Sequence, residues 1–440
     1  MIEIQLDMKK ILLAVIIGFL FSSCTKKGDY EAVFSNPEQY SKTVGLLTQV
    51  ITHDIFSPPV ASRIYTYSSI AGYEVIASQS KDYKPLSGKL EGLKVSAANK
   101  PVNKEFSAIL AFMYVGKELT FSKDSTQKII DNHIQLAKDS GMPEEILNNS
   151  QEYALSVSKA VLDWAKKDNY KQTRSAVKYT VTNQEGRWVP TPPAYMPAIE
   201  PSWMKIRPVL IDSASQFLPK PPSKFSKDKN SDFYKLANEV YETGKNLSDE
   251  QKAIADFWDC NGFKVNVSGH VMFATKAMTP GGHWMGITGI VCSNQKADFD
   301  KTVFAYAGVS IAVMDAFIAC WNTKFTYDLV RPETYINNYM DNAWKPYLQT
   351  PPFPEYTSGH SIISSASATV LTKIFGDSTP FVDNTERAWG WPDRKYENVK
   401  QASNEAALSR MYGGIHYREA MEEGIVEGDK IGELVFSKLN

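Results

Sequence analysis

VFAYAGVSIAVMDAFIACWNTKFTYDLVRP, residues 303–332, is the stretch that decides the fold. Its first part, Val303 to Trp321, has nearly the length of a membrane span. Asp315 in its middle, its polar flanks and the absence of another such segment indicate a helix buried in a protein core. A helix continuing past Trp321 carries Lys324 and Arg331 two turns apart on nearly the same face. Pro332 is then expected to end it. Two stacked cations repel each other, an arrangement that becomes tolerable when an anion sits between them.

Outward from this helix the pattern stays helical. Ser57-Pro58-Pro59 starts a run in which Val60, Ile64, Tyr67, Ile70 and Ala71 share a face. Lys104 to Phe121 and Thr126 to Leu136 repeat the pattern, and Pro143-Glu144-Glu145 opens a helix to Lys166. From Asn183 to Phe225 prolines and aromatics dominate, which predicts an extended connection wrapped over the body and pinned by Trp188 and Trp203. Helical spacing resumes at Ser231, and Ser248-Asp249-Glu250-Gln251 reads as an N-cap before Ile254 to Trp258. With no fixed-period repeat and no convincing sheet, the class is all-α.

Of the 440 residues, 43% are hydrophobic, ample for a large core, and the formal net charge is −1. That balance argues against a general nucleic-acid or membrane-surface binder. An anion site must therefore come from locally clustered cations. Cys260, Cys292 and Cys320 are too few and too far apart in sequence for a disulfide framework or a zinc motif, and buried free thiols are expected.

Two more stretches supply chemistry. Thr357-Ser358-Gly359-His360 precedes an Ile-Ser-Ala helix, so Ser358 or Thr357 caps a helix whose free N–H groups and dipole favour an anion. Gly359 lets an oxyanion approach the main chain, and His360 is placed to exchange a proton with it. Ser409-Arg410, then Gly413-Gly414 and His416, add a planar donor fork and a ring nitrogen able to bond a phosphorus or metal centre. Lys324, Arg331 and Arg410 would neutralise the oxyanion, with His416 and His360 at its poles. No Cys, Ser or Asp nucleophile and no carboxylate pair accompanies them, which argues against a two-metal phosphatase.

At these residues the chain resembles the vanadium-dependent haloperoxidase and type 2 phosphatidic acid phosphatase superfamily, through Lys324-x6-Arg331-Pro332, Thr357-Ser358-Gly359-His360 and Ser409-Arg410-x5-His416. The resemblance implies helical bundles around one oxyanion site. It implies vanadate bonded to His416 and held by Lys324, Arg331, Ser358, Gly359 and Arg410, with halide and peroxide as substrates. Trp321 and Phe353 match aromatics of a halide pocket. In a phosphatase the same cradle would take phosphate, with His416 as nucleophile and His360 as general acid, and a non-enzymatic oxyanion-binding lipoprotein is the third reading. Thr357 replaces the family proline, and Ala420 stands where the family aspartate orients the histidine. Glu419 or a backbone carbonyl is the substitute expected.

At the N-terminus, Met8-Lys9-Lys10, the apolar run Ile11 to Phe21 and Ser22-Ser23-Cys24 resemble a bacterial lipoprotein signal. That implies residues 1–23 as signal, lipidation of Cys24, and attachment to the outer membrane facing the periplasm. Residues 24–45 are then a tether and 46–440 one helical domain with its motif core at about 300–430.

Overall fold

A computed structural model describes residues 28–440 except Phe263 and Gly269, so the signal segment and Cys24 lie outside the described residues. In chain order the helices are α1 (Tyr30–Ser35), α2 (Pro37–His53), α3 (Pro58–Ala77), α4 (Lys104–Leu119), α5 (Lys123–Asp139), α6 (Glu144–Ala165), α7 (Tyr170–Arg174), α8 (Asp232–Lys245) and α9 (Asp249–Phe257). An antiparallel pair, β1 (Lys264–Ser268) and β2 (Val271–Thr275), leads into α10 (Pro280–Asn294), α11 (Phe299–Tyr327), α12 (Pro332–Tyr339) and α13 (Gly359–Phe375). A second short pair, β3 (Phe381–Asp383) and β4 (Arg394–Tyr396), precedes α14 (Val399–Tyr412) and α15 (Arg418–Leu439). The architecture is thus mostly helical, as expected, with two small ribbons that the sequence reading lacks.

Helix starts follow local chemistry. Ser57, Asn103, Ser231, Thr279 and Asp298 each accept a backbone N–H of the first turn, and Ser248 with Gln251 forms a reciprocal capping box. The segment expected to be a tether is shorter than predicted. Helix α1 begins at Tyr30 and α2 at Pro37, and Phe34, Tyr40 and Val44 are buried in the core.

Helix α11 is the axis of the molecule. Its most apolar stretch would suffice to cross a membrane, yet every residue of that stretch is buried inside the protein, packed against α3, α10, α13 and α15. Asp315 explains its own presence there. Its carboxylate accepts the backbone N–H groups of Val209 (2.7 Å), Leu210 (2.8 Å) and Ile211 (3.0 Å). The proline-rich connection is therefore tied to the core helix, with Trp188 and Trp203 fully buried along it. Removing that carboxylate would strand three N–H groups, at ~1–3 kcal/mol for each left unpaired.

The end of α11 differs from the sequence expectation. The helix stops at Tyr327, because Asp328 takes a left-handed conformation (φ 51°) that breaks the ladder. Arg331 is the N-cap residue of α12, and Pro332 opens that helix instead of closing α11. Lys324 and Arg331 therefore sit on two different elements.

Helices α13 and α15 make the closest pairing. A Cβ at Gly428 would lie 2.4 Å from the carbonyl oxygen of Ile362, and one at Gly432 2.6 Å from that of Ala366. The facing residues on α13, among them Ser361, Ser365, Ala366 and Thr369, are small. Backbones in such contact hold the N-terminus of α13 in one place, and that terminus faces the candidate site.

Candidate active site

A cavity of about 50 Å³ is lined by Trp321 from α11, Phe353 from the 351–358 strap, Gly359 and His360 from α13, Arg410 from α14, and His416. The structure thus gathers residues that are far apart in the chain. Trp321 and Phe353 pack with ring centroids 5.1 Å apart, and the Trp321 indole donates to the carbonyl of Ile199.

His416 is 2% exposed. Its Nδ1 lies 2.8 Å from Glu355 Oε1, and its Nε2 lies 3.1 Å from Arg331 Nη1. A guanidinium can only donate, so Nε2 is the acceptor and Nδ1 carries the hydrogen given to Glu355. Burial, then the charges of Arg331, Lys324 and Arg410, hold this ring well below the ordinary histidine value. A neutral imidazole with its lone pair on Nε2 is the form a metal or phosphorus centre requires.

Glu355 therefore fills the role that Ala420 leaves vacant. Glu419, expected from the sequence as the substitute, is instead engaged by the Ser223 amide and hydroxyl, and Ala420 offers its carbonyl to Ser358. Glu355 is fully buried, its Oε1 also accepts the Tyr417 amide (2.9 Å), and burial pushes it up to about 7 against the pull of Arg331 and Lys324. The readable signal was a carboxylate inside Pro352-Phe353-Pro354-Glu355-Tyr356, immediately before the Ser-Gly-His turn.

Arg331 donates from Nε to the Phe353 carbonyl and from Nη1 to the Ile415 carbonyl, while Nη2 is buried without a partner. Arg410 is anchored by Ser409 Oγ (2.9 Å) and the Trp258 carbonyl (2.7 Å). Lys324 behaves differently from the sequence expectation. Its buried ammonium spends its three hydrogens on the carbonyls of Pro354 (2.9 Å), Glu355 (2.9 Å) and Thr357 (2.5 Å). It shapes the strap and contributes charge at a distance. Desolvation brings it down to about 8.

Ser358 caps α13, accepting the Ser361 amide and hydroxyl, so its own hydroxyl hydrogen remains to be given. The amides of Gly359 and His360 then have no acceptor within the helix. A Cβ at Gly359 would meet nothing within 4 Å, so the main chain there borders open space. His360 Nε2 is buried and unpaired in the same cavity. Burial, then Arg410, depresses its basicity. Unpaired donors from Arg331, an open glycine and a neutral histidine together fit a tetrahedral oxyanion such as vanadate.

The chain is similar to a solved structure described as the first bacterial vanadium-dependent iodoperoxidase, with 45% identity and a TM-score of 0.87, over 92% of this chain and 97% of that one. The chain belongs to the vanadium-dependent haloperoxidase family. Residues 304–343 and 337–440 match the VCPO second helical-bundle domain. Holo and apo forms of a bacterial vanadium-dependent chloroperoxidase share the fold at 16% identity, with TM-scores of 0.65 and 0.66, covering 88% and 87% of this chain and 93% and 94% of theirs. No curated protein matches by sequence. As a haloperoxidase-family enzyme the chain is an oxidoreductase; of its motif residues, Gly359, His360, Arg410 and His416 line the cavity, while Lys324, Arg331 and Ser358 lie behind that lining.

Four further residues at or beside the site lie outside the set expected from the sequence. Trp258, Asp259 and Cys260 follow α9, and Asp259 and Cys260 line the cavity. Glu427 of α15 is buried at 1%, accepts from Thr357 Oγ1, and is raised to about 8 by burial. Of the remaining histidines, His53 contacts Lys276, and His133 contacts Thr43 while burial lowers it to about 4. His270 is exposed. His283 lies in a buried cluster that shares Cys260 with the cavity lining.

Proposed function

We propose that this enzyme oxidises halide with hydrogen peroxide at a vanadate held by His416, with iodide as the halide it uses best. The observation that carries the reading is the His416 ring, fixed by Glu355 so that Nε2 faces Arg331 and the cavity. Bound vanadate supplies the Lewis acidity that activates peroxide toward halide. The chain's own residues do the rest. Arg331 Nη2, Arg410, the Ser358 hydroxyl and the amides of Gly359 and His360 are the donors that would hold the oxyanion. Neutral His360 is placed to take and return a proton at a cavity oxygen. Trp321 and Phe353 form an apolar wall against which a large, weakly hydrated halide loses little on leaving water. The iodide preference is supported by the 45% identical relative described as an iodoperoxidase.

The same Lys-x6-Arg-Pro, Ser-Gly-His and Ser-Arg-x5-His pattern links the site to the type 2 phosphatidic acid phosphatases. Residues 8–24 support a lipid-anchored protein of the bacterial envelope, joined to the membrane through Cys24 alone. A paired assay tests the chemistry. Protein loaded with orthovanadate should oxidise iodide with peroxide, and bromide more slowly, whereas vanadate-free protein should not. Hydrolysis of an aryl phosphate that vanadate blocks, without halide oxidation, would overturn the reading in favour of a phosphatase.

A further inference from the structure

Beside the cavity, and sharing Cys260 with its lining, lies a second polar centre to which the proposed halide chemistry gives no role. His283, in the first turn of α10, is wholly buried, and its Nε2 lies 2.8 Å from Asp383 Oδ2. Asp383 is itself held through Oδ1 by the amide (3.0 Å) and hydroxyl (2.7 Å) of Thr385. With a carboxylate taking the Nε2 hydrogen, a neutral ring carries its lone pair on Nδ1. Two groups face that one nitrogen: Cys260 Sγ at 3.5 Å and Glu386 Oε1 at 3.4 Å. A single ring nitrogen can satisfy only one of them by hydrogen bonding. A cation between the three satisfies all of them at once.

The spacing agrees. Zinc bonds of ~2.3 Å to sulfur and ~2.0–2.2 Å to nitrogen and oxygen, set tetrahedrally, give ligand-to-ligand edges of ~3.5 Å for S–N and ~3.3–3.4 Å for N–O. The observed separations are 3.5 and 3.4 Å, and ligand atoms of the three residues all lie within 4.8 Å of one another. Asp383 stands where the carboxylate of a carboxylate–histidine–metal relay stands. We propose that Cys260, His283 and Glu386 bind one divalent transition-metal cation, zinc by preference, with Asp383 fixing the histidine tautomer. A thiolate, an imidazole and a carboxylate suit zinc, which is redox-inert and so compatible with a neighbouring peroxide site.

The consequence is positional. Trp258 stacks on His283 (centroids 4.4 Å apart, planes 19° apart), and its carbonyl receives Arg410. A metal clamp would tie the 258–260 segment to α10 and to the turn after β3, and through Trp258 it would steady Arg410. The three ligands come from distant parts of the chain, which is why no zinc spacing is visible in the sequence.

The test uses the full chain, stripped with a chelator and then titrated with Zn²⁺ and, separately, Co²⁺. One equivalent per chain should bind, and the cobalt form should show a thiolate-to-metal charge-transfer band. Cys260→Ser should abolish the band, whereas Cys292→Ser and Cys320→Ser should keep it. Glu386→Gln should weaken zinc binding, and Asp383→Asn should weaken it about 10- to 100-fold. Far-UV circular dichroism checks that each variant is folded. Failure of wild-type protein to take up either ion, or a band unchanged in Cys260→Ser, would overturn the proposal. Neither readout involves vanadate or halide, so the site assignment at His416 stands or falls separately.

Discussion

His416 and His283 are both buried, each with one ring nitrogen 2.8 Å from a carboxylate oxygen, Glu355 in one case and Asp383 in the other. Their other ring nitrogens face opposite company. Beyond His416 Nε2 stands the Arg331 guanidinium, with Arg410 and Lys324 acting from farther off. Beyond His283 Nδ1 stand a thiol and a second carboxylate. The same dyad thus produces an anion site where the surrounding charges are positive and a cation site where the donors are acidic. The carboxylate sets the tautomer, and the neighbours set the charge of what can bind.

Substitutions that break the His416 half of this comparison should have the largest effects. His416→Ala should reduce vanadate-dependent halide oxidation to background while leaving the helical circular dichroism spectrum unchanged. Loss of the orienting carboxylate comes next. Glu355→Ala should lower vanadate affinity about 10- to 100-fold, and Glu355→Gln, which can still accept the Nδ1 hydrogen, should recover part of it. If both Glu355 variants bind vanadate like wild type in calorimetric titrations, Glu355 does not position the ring.

A smaller effect should appear with pH. In the free protein Lys324 loses its proton near pH 8, because burial disfavours its charge. Oxyanion binding favours the charged ammonium, so above about pH 8 binding must take up a proton. Affinity should then fall as pH rises, by at most about tenfold per unit. Lys324→Gln should bind more weakly below pH 8 and lack this step. Stability carries the opposite sign: the cost of burying the charged amine is full below pH 8 and is relieved as pH rises from there toward the ordinary lysine value. Smallest of all, Gly359→Ala should leave the melting temperature nearly unchanged, since the added methyl meets open space. It should nevertheless weaken vanadate several-fold by occupying part of the cradle.

Much of this was legible from residue order alone. Asp315 in an otherwise apolar run marked a core helix, and the Ser-Gly-His turn before an Ser/Ala-rich segment marked a helix start facing a ligand. Trp188 and Trp203 marked a pinned connection, and both are buried. What stayed hidden depends on long-range placement. The break at Asp328 is a left-handed residue that periodicity does not reveal, and it moved Arg331 onto α12. Lys324 pointed toward the strap because three carbonyls converge there. Glu355 lies 61 residues from His416 in sequence, so a rule that seeks the orienting acid four residues after the histidine overlooks it. The ligands of the His283 cluster are scattered in the same way. The first part of the N-terminal helices looked like a tether because its apolar anchors, Phe34, Tyr40 and Val44, are spread among polar and charged residues rather than gathered in one run.

Glu355 fixes His416 so that Nε2, rather than Nδ1, is the nitrogen available to an oxyanion. A crystal structure of the protein soaked in orthovanadate tests it directly. The account predicts vanadium bonded to His416 Nε2, with Nδ1 still hydrogen-bonded to Glu355 and oxyanion oxygens on Arg331, Arg410 and the Gly359 amide. Vanadium bound elsewhere, or a His416 ring turned so that Nδ1 faces the cavity and Glu355 is released, would contradict it.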